Sequence, residues 1–124
     1  MEANGLFVGV IPLANQRCTM TKRELFLRIE DLKLQLVAKY APDKVILFGS
    51  AARDDDEIND VDLLIVKDDV PVFGAERIRQ LYRLMDTDLP VDYLVYRPSE
   101  VAERLSLGDP FITRVLREGK VLYG

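Results

Sequence analysis

The alternation of apolar and polar positions is most regular after Thr21. Leu25, Ile29, Leu32 and Leu36 recur at helical spacing, with Phe26 and Val37 widening the stripe. Thr21 and Glu24 have the spacing of a capping box, so a helix is expected to start there. Pro42 disfavours helical geometry at Ala41, which predicts an end near Tyr40 and a role in covering one face of a sheet. Two short apolar runs bounded by turn residues follow, Val45 to Phe48 and Leu63 to Val66, the pattern of core strands. Gly74 to Met85 reads as a helix with Ile78, Leu81, Tyr82 and Met85 on one side, and Val91 to Tyr96 as a third strand. Pro98 to Leu107 is a further helix stopped by Gly108. Asp109-Pro110 opens the last one, whose apolar residues are Phe111, Ile112, Val115 and Leu116 and whose stop is Gly119. Val121 to Tyr123 closes the chain as a short strand. Helices between strands predict an α/β (α+β) fold, a small mixed sheet with helices packed against it.

The first 20 residues break this regularity. Leu6 to Leu13 is apolar but interrupted by Pro12, preceded by Glu2 rather than a basic segment, and too short to span a bilayer. Residues 1–20 are expected to be a loosely ordered extension, with Met20 a candidate natural start, and residues 21–124 one domain, in keeping with a chain of 124 residues. A net charge of −4 argues against nucleic-acid binding driven by counterion release. Cys18 is the single cysteine, which excludes an internal disulfide and fits a reducing cytoplasm. The absence of histidine removes Ser-His and Cys-His catalysis and His-type zinc sites.

Candidate chemistry concentrates in Lys44 to Lys67, KVILFGSAARDDDEINDVDLLIVK. Residues two apart in a strand share a face, so Asp60 and Asp62 would aim both carboxylates the same way, with Val61 turned inward. Like charges that close raise each other's pKa, and a divalent cation removes the penalty. Mg²⁺ in particular favours one or two carboxylates plus substrate phosphate oxygens. Gly49 would let backbone approach a ligand, while Ser50 adds a hydroxyl and the N–H groups beyond it suit a phosphate. Each piece has a plainer reading: Gly-Ser is often a turn, Asp-x-Asp occurs by chance, and Asp54 to Glu57 is a solvated acidic loop. The order strand, Gly-Ser, helical spacer, Asp-x-Asp, strand is far more specific than any of them.

That order resembles the minimal nucleotidyltransferases of the DNA polymerase β-like superfamily. The matching residues are Gly49, Ser50, Ala52, Arg53, Asp60 and Asp62, with Asp92 on the later strand as the third carboxylate. The ending FITRVLREGKVLYG is similar too, so the resemblance covers Thr21 to Gly124. It implies a palm-like fold and transfer of a nucleoside monophosphate from an NTP, with release of pyrophosphate. Gly49, Ser50 and Arg53 would bind the nucleotide. Asp60, Asp62 and Asp92 would hold two Mg²⁺ ions, and Asp92 could instead act as general base. Three departures stand out: Asp54 where many members have glycine, Asn59 where serine is frequent, and a spacer of nine residues between Ser50 and Asp60.

A domain this small holds a catalytic sheet and little to enclose an acceptor. Many minimal nucleotidyltransferases work with a helical HEPN-type protein, as antitoxins that silence a ribonuclease toxin by adding AMP to a tyrosine. The resemblance therefore implies a type VII-like antitoxin that uses ATP on a protein hydroxyl. Two other readings stand beside it. One is a free-standing enzyme that modifies a small molecule, as antibiotic nucleotidyltransferases do, with a homo-oligomer supplying the acceptor wall. The other is a binder that neutralises its partner by occlusion.

Overall fold

The computed structural model describes residues 20–53, 58 and 60–124. The expected extension up to residue 19, the acidic run Asp54 to Glu57, and Asn59 lie outside the described residues. Helix α1 (Lys22–Lys39) starts on the expected capping box: Glu24 N–H donates to Thr21 Oγ1 at 3.0 Å and Thr21 N–H to Glu24 Oε1 at 2.9 Å. It ends at Tyr40, and Ala41 leaves the helix with φ +53° before Pro42, where helical geometry is disfavoured. Strand β1 (Lys44–Phe48), helix α2 (Ser50–Arg53), strand β2 (Val61–Val66), helix α3 (Gly74–Leu84) and strand β3 (Val91–Tyr96) follow. Helices α4 (Pro98–Ser106) and α5 (Pro110–Glu118) and strand β4 (Lys120–Tyr123) complete the order.

The sheet runs β3-β2-β1-β4. β1 is antiparallel to both β2 and β4, whereas β2 and β3 are parallel, joined by the α3 crossover. The strand alternation sorts side chains between two layers. Val45, Leu47, Val61, Leu63, Ile65, Val91, Tyr93 and Val95 face Ile29, Leu32 and Leu36 of α1 and Leu81 of α3 in the main core. The opposite face carries Ile46 and Leu64 against Val115 of α5, with Phe48, Leu94 and Tyr96 half-buried around them. Central β2 is covered on both sides: Leu63, Leu64 and Ile65 are fully buried. Burying each such side chain contributes about 1.5–3 kcal/mol.

Two expectations about packing fail. Phe26 does not widen the α1 stripe, and Tyr82 is not a core residue of α3; both are exposed. Tyr82 lies at the margin instead, donating its hydroxyl to Val91 O at 2.9 Å and meeting Tyr93 edge-on. In its place α3 buries Arg77, whose guanidinium donates to Glu100 Oε1 at 2.7 Å and Oε2 at 3.0 Å and to the carbonyls of Pro71 and Val95 at 2.6 and 2.9 Å. Glu100 also accepts from Arg97 N–H at 2.7 Å, which fixes the start of α4. The Arg77 guanidinium holds the Glu100 carboxyl down at about 2. α4 buries no residue of its own, so this ion pair is what ties it to α3 and β3.

Candidate active site

Asp62 and Asp92 lie on the sheet face that α5 covers. Asp62 is the second residue of β2, and its alternation places it with Leu64 on that face. Parallel pairing puts Asp62 directly beside Asp92 of β3, and antiparallel pairing puts it beside Phe48 of β1. Neighbouring strands are about 4.8 Å apart, so the two carboxylates stand next to one another on one face. Asp62 is half-buried, while Asp60 and Asp92 are exposed.

Asp60 is not held by the strand as expected. Pairing of β2 with β3 begins at Val61↔Val91, and Val61 N–H donates to Pro90 O at 3.0 Å. Pro90 has no N–H with which to carry the ladder further back. Asp60 therefore leaves the sheet one residue early, though close enough to act on Asp62.

The electrostatics record the convergence. The Asp62 carboxyl is pushed above its ordinary value, first by burial, then by the charges of Asp92 and Asp60 and by hydrogen bonding with Asp92, with Arg53 opposing them. A half-buried carboxylate facing two others is a poor resting place for a full set of negative charges and a good one for a cation.

Gly49 follows β1 and stands against this group. Its φ of +74° is a left-handed conformation that other residues rarely adopt. A Cβ there would overlap Asp62 Oδ2, so the absence of a side chain is what lets the turn and the carboxylate share the space. Gly49 O accepts from the N–H groups of Ala52 and Arg53, both at 3.1 Å, and this closes the single turn of α2. Ala51 and Ala52 are buried beneath that turn, which leaves Ser50 half-buried and Arg53 at the surface.

Gly49 also forms one wall of a cleft of about 210 Å³ between α2 and α5, where Ala52 and Arg53 face Phe111 and Arg114. The residue pattern alone does not pick out Arg114. What marks α5 in the sequence is its apolar stripe, and the signal beside it is a cation placed one turn after Phe111 and one turn before Glu118. A larger cleft of about 540 Å³ lies by Tyr96, Arg104 and Leu107 at the far end of β3. Neither cleft is lined by an aspartate, but the larger one lacks Gly49 as well, and Arg77 and Glu100 on its wall are spent on each other.

Among the described residues no three carboxylate, cysteine or histidine side chains form a ready-made metal cage. The donor set nonetheless fits Mg²⁺, which binds through one or two carboxylates and leaves its other positions to water and phosphate oxygens. Asp62 and Asp92 supply that pair in register, with Asp60 at its rim.

Comparison with known proteins gives a family and a fold. The family model described as polymerase beta, nucleotidyltransferase matches residues 30–124. A Sulfolobus solfataricus protein, solved by crystallography at 1.40 Å and named provisionally as a nucleotidyltransferase, is 26% identical. The similarity covers 66% of this chain and 78% of that one, with a TM-score of 0.52. No curated protein gives a significant match. Among the described residues no helix is long and apolar enough to cross a membrane.

Proposed function

The chain belongs to the polymerase beta nucleotidyltransferase family, and from that premise we propose that it transfers AMP from ATP to a hydroxyl of a partner protein. The observation that carries the reading is the pairing of Asp62 with Asp92 against the side-chain-free turn at Gly49. In the reaction the acceptor oxygen attacks the α-phosphorus, the bond to the bridging oxygen of the β-phosphate breaks, and pyrophosphate leaves. Exposed Asp92 would either complete the metal set or take the hydroxyl proton and pass it to water. Gly49 and Ser50 line the approach of the phosphates, and Arg53 offsets their charge. Two Mg²⁺ ions bound by Asp62, Asp92 and Asp60 would supply charge stabilisation for the leaving pyrophosphate and a more acidic acceptor hydroxyl. Most of the acceleration then comes from positioning and charge.

The acceptor in this proposal is a tyrosine of a HEPN-type ribonuclease toxin, with the chain acting as a type VII-like antitoxin. The motif resemblance supports it, and so does the exposure of Asp60 and Asp92, which leaves the reacting side open to a macromolecule. Co-expression with a HEPN-type protein of the source cell and intact-mass measurement of that protein tests the idea. The wild type should add the mass of AMP, and the variant carrying Asp60→Asn and Asp62→Asn should not. A partner that stays unmodified with ATP and Mg²⁺ overturns the assignment of the acceptor.

A further inference from the structure

We propose that Arg114 is a further nucleotide-binding residue, gripping the β- and γ-phosphates of the triphosphate, and the leaving pyrophosphate, from α5. The inference rests on the nucleotidyl-transfer reading and adds a residue outside the Gly-Ser and Asp-x-Asp motif. Its first support is continuity. The cleft between α2 and α5 shares the Gly49 backbone with the Asp62 carboxylate: Gly49 lines the one and abuts the other. Gly49 is thus the link between a ligand seated in the cleft and the Asp62 carboxylate, which does not itself line the cleft.

The second support is how Arg114 is presented. Ile112 and Val115 on either side of it are buried, and the Phe111 ring meets Phe48 edge-on, with centroids 5.6 Å apart at 83°. These contacts fix α5 against β1, so the exposed guanidinium projects from a rigid helix rather than a loop.

The third support is charge. In a chain of net charge −4, this cleft brings together Arg53 and Arg114 against a single carboxylate, Glu118. Glu118 approaches Arg117 at 3.5 Å. Guanidinium groups match phosphate oxygens with two parallel hydrogen bonds, a geometry lysine cannot reproduce. The competing account is that Arg114 only forms a surface pair with Glu118 one turn away, which is worth little.

Calorimetric binding of ATP, AMP and pyrophosphate, each with Mg²⁺, separates these accounts in the wild type and in Arg114→Gln, Arg114→Lys and Glu118→Gln. Arg114→Gln should weaken ATP and pyrophosphate roughly tenfold or more, as expected for a charge-assisted hydrogen bond, and leave AMP within about twofold. Arg114→Lys should fall between, and Glu118→Gln should not weaken ATP. Unchanged ATP and pyrophosphate binding in Arg114→Gln overturns the inference alone. So does a loss confined to AMP, which would place the base in the cleft instead. A wild type that binds none of the three ligands removes the nucleotidyl-transfer reading as well.

Discussion

Replacing Gly49 with alanine tests how the turn and the carboxylates depend on each other. The left-handed φ of +74° costs a residue with a Cβ roughly 1–2 kcal/mol. The new methyl would also overlap Asp62 Oδ2 and force that carboxylate to move. Val61 and Leu63 beside Asp62 are buried, so the strand cannot yield, and the side chain must swing away from the turn. The combined cost should reach about 2–3 kcal/mol, or roughly 8–12 °C in Tm for a domain of this size. If the proposed reaction holds, displacing the Asp62 carboxylate by about 1 Å should lower transfer at least a hundredfold. Gly108→Ala is the matched control, because Gly108 has a φ of +76° but a methyl group there would meet nothing within 4 Å. It should lose only the backbone share, about 1–2 kcal/mol, and keep full transfer. Thermal unfolding and a transfer assay on both variants decide the matter. Equal losses of stability, with transfer retained in Gly49→Ala, would refute the idea that Asp62 fixes the identity of residue 49.

Two further outcomes follow from the charged groups. The folded pKa of Asp62 is raised, so its charge opposes folding above that value and costs nothing below the ordinary carboxylate range. Asp62→Asn should therefore raise the Tm of metal-free protein at about pH 7, lose the advantage as the pH falls through the raised pKa, and abolish any Mg²⁺-induced gain seen in the wild type. A variant less stable than the wild type at neutral pH would contradict this. Glu100 has the opposite sign: held down at about 2 by Arg77, it contributes stability that is present above its ordinary value of 4.5 and lost as the pH falls toward 2. Because the Glu100 side chain is partly exposed, Glu100→Gln should cost roughly 2 kcal/mol in urea unfolding at neutral pH, and the deficit should disappear in acid.

The elements were legible in the sequence because each carries its own local signal. The Thr21–Glu24 box, the stripe Ile29-Leu32-Leu36, the Asp109-Pro110 start and the three apolar strand runs needed no knowledge of the rest of the chain. Asp60 and Asp62 stood out for the same reason, and the family resemblance supplied Asp92. What stayed hidden depends on distant partners. That Asp62 and Asp92 are register neighbours follows from a parallel pairing across the α3 crossover, which no local pattern encodes. The early exit of Asp60 depends on Pro90, far along the chain. Helical patterning counts arginine as polar and gives no sign that Arg77 is buried; it is buried only because Glu100 and carbonyl groups from two other segments satisfy it. Arg114 is exposed by any local criterion, and its interest comes from the cleft that α2 and α5 make together.

The central proposal is nucleotidyl transfer to a protein, and ATP labelled at the α-phosphate tests it most directly. Purified protein would be incubated with this ATP, Mg²⁺ and lysate of the source cell, beside the variant carrying Asp60→Asn and Asp62→Asn. A labelled protein band that appears with the wild type and not with the variant is the predicted result. Label that enters no protein, or that enters equally with both proteins, would contradict it.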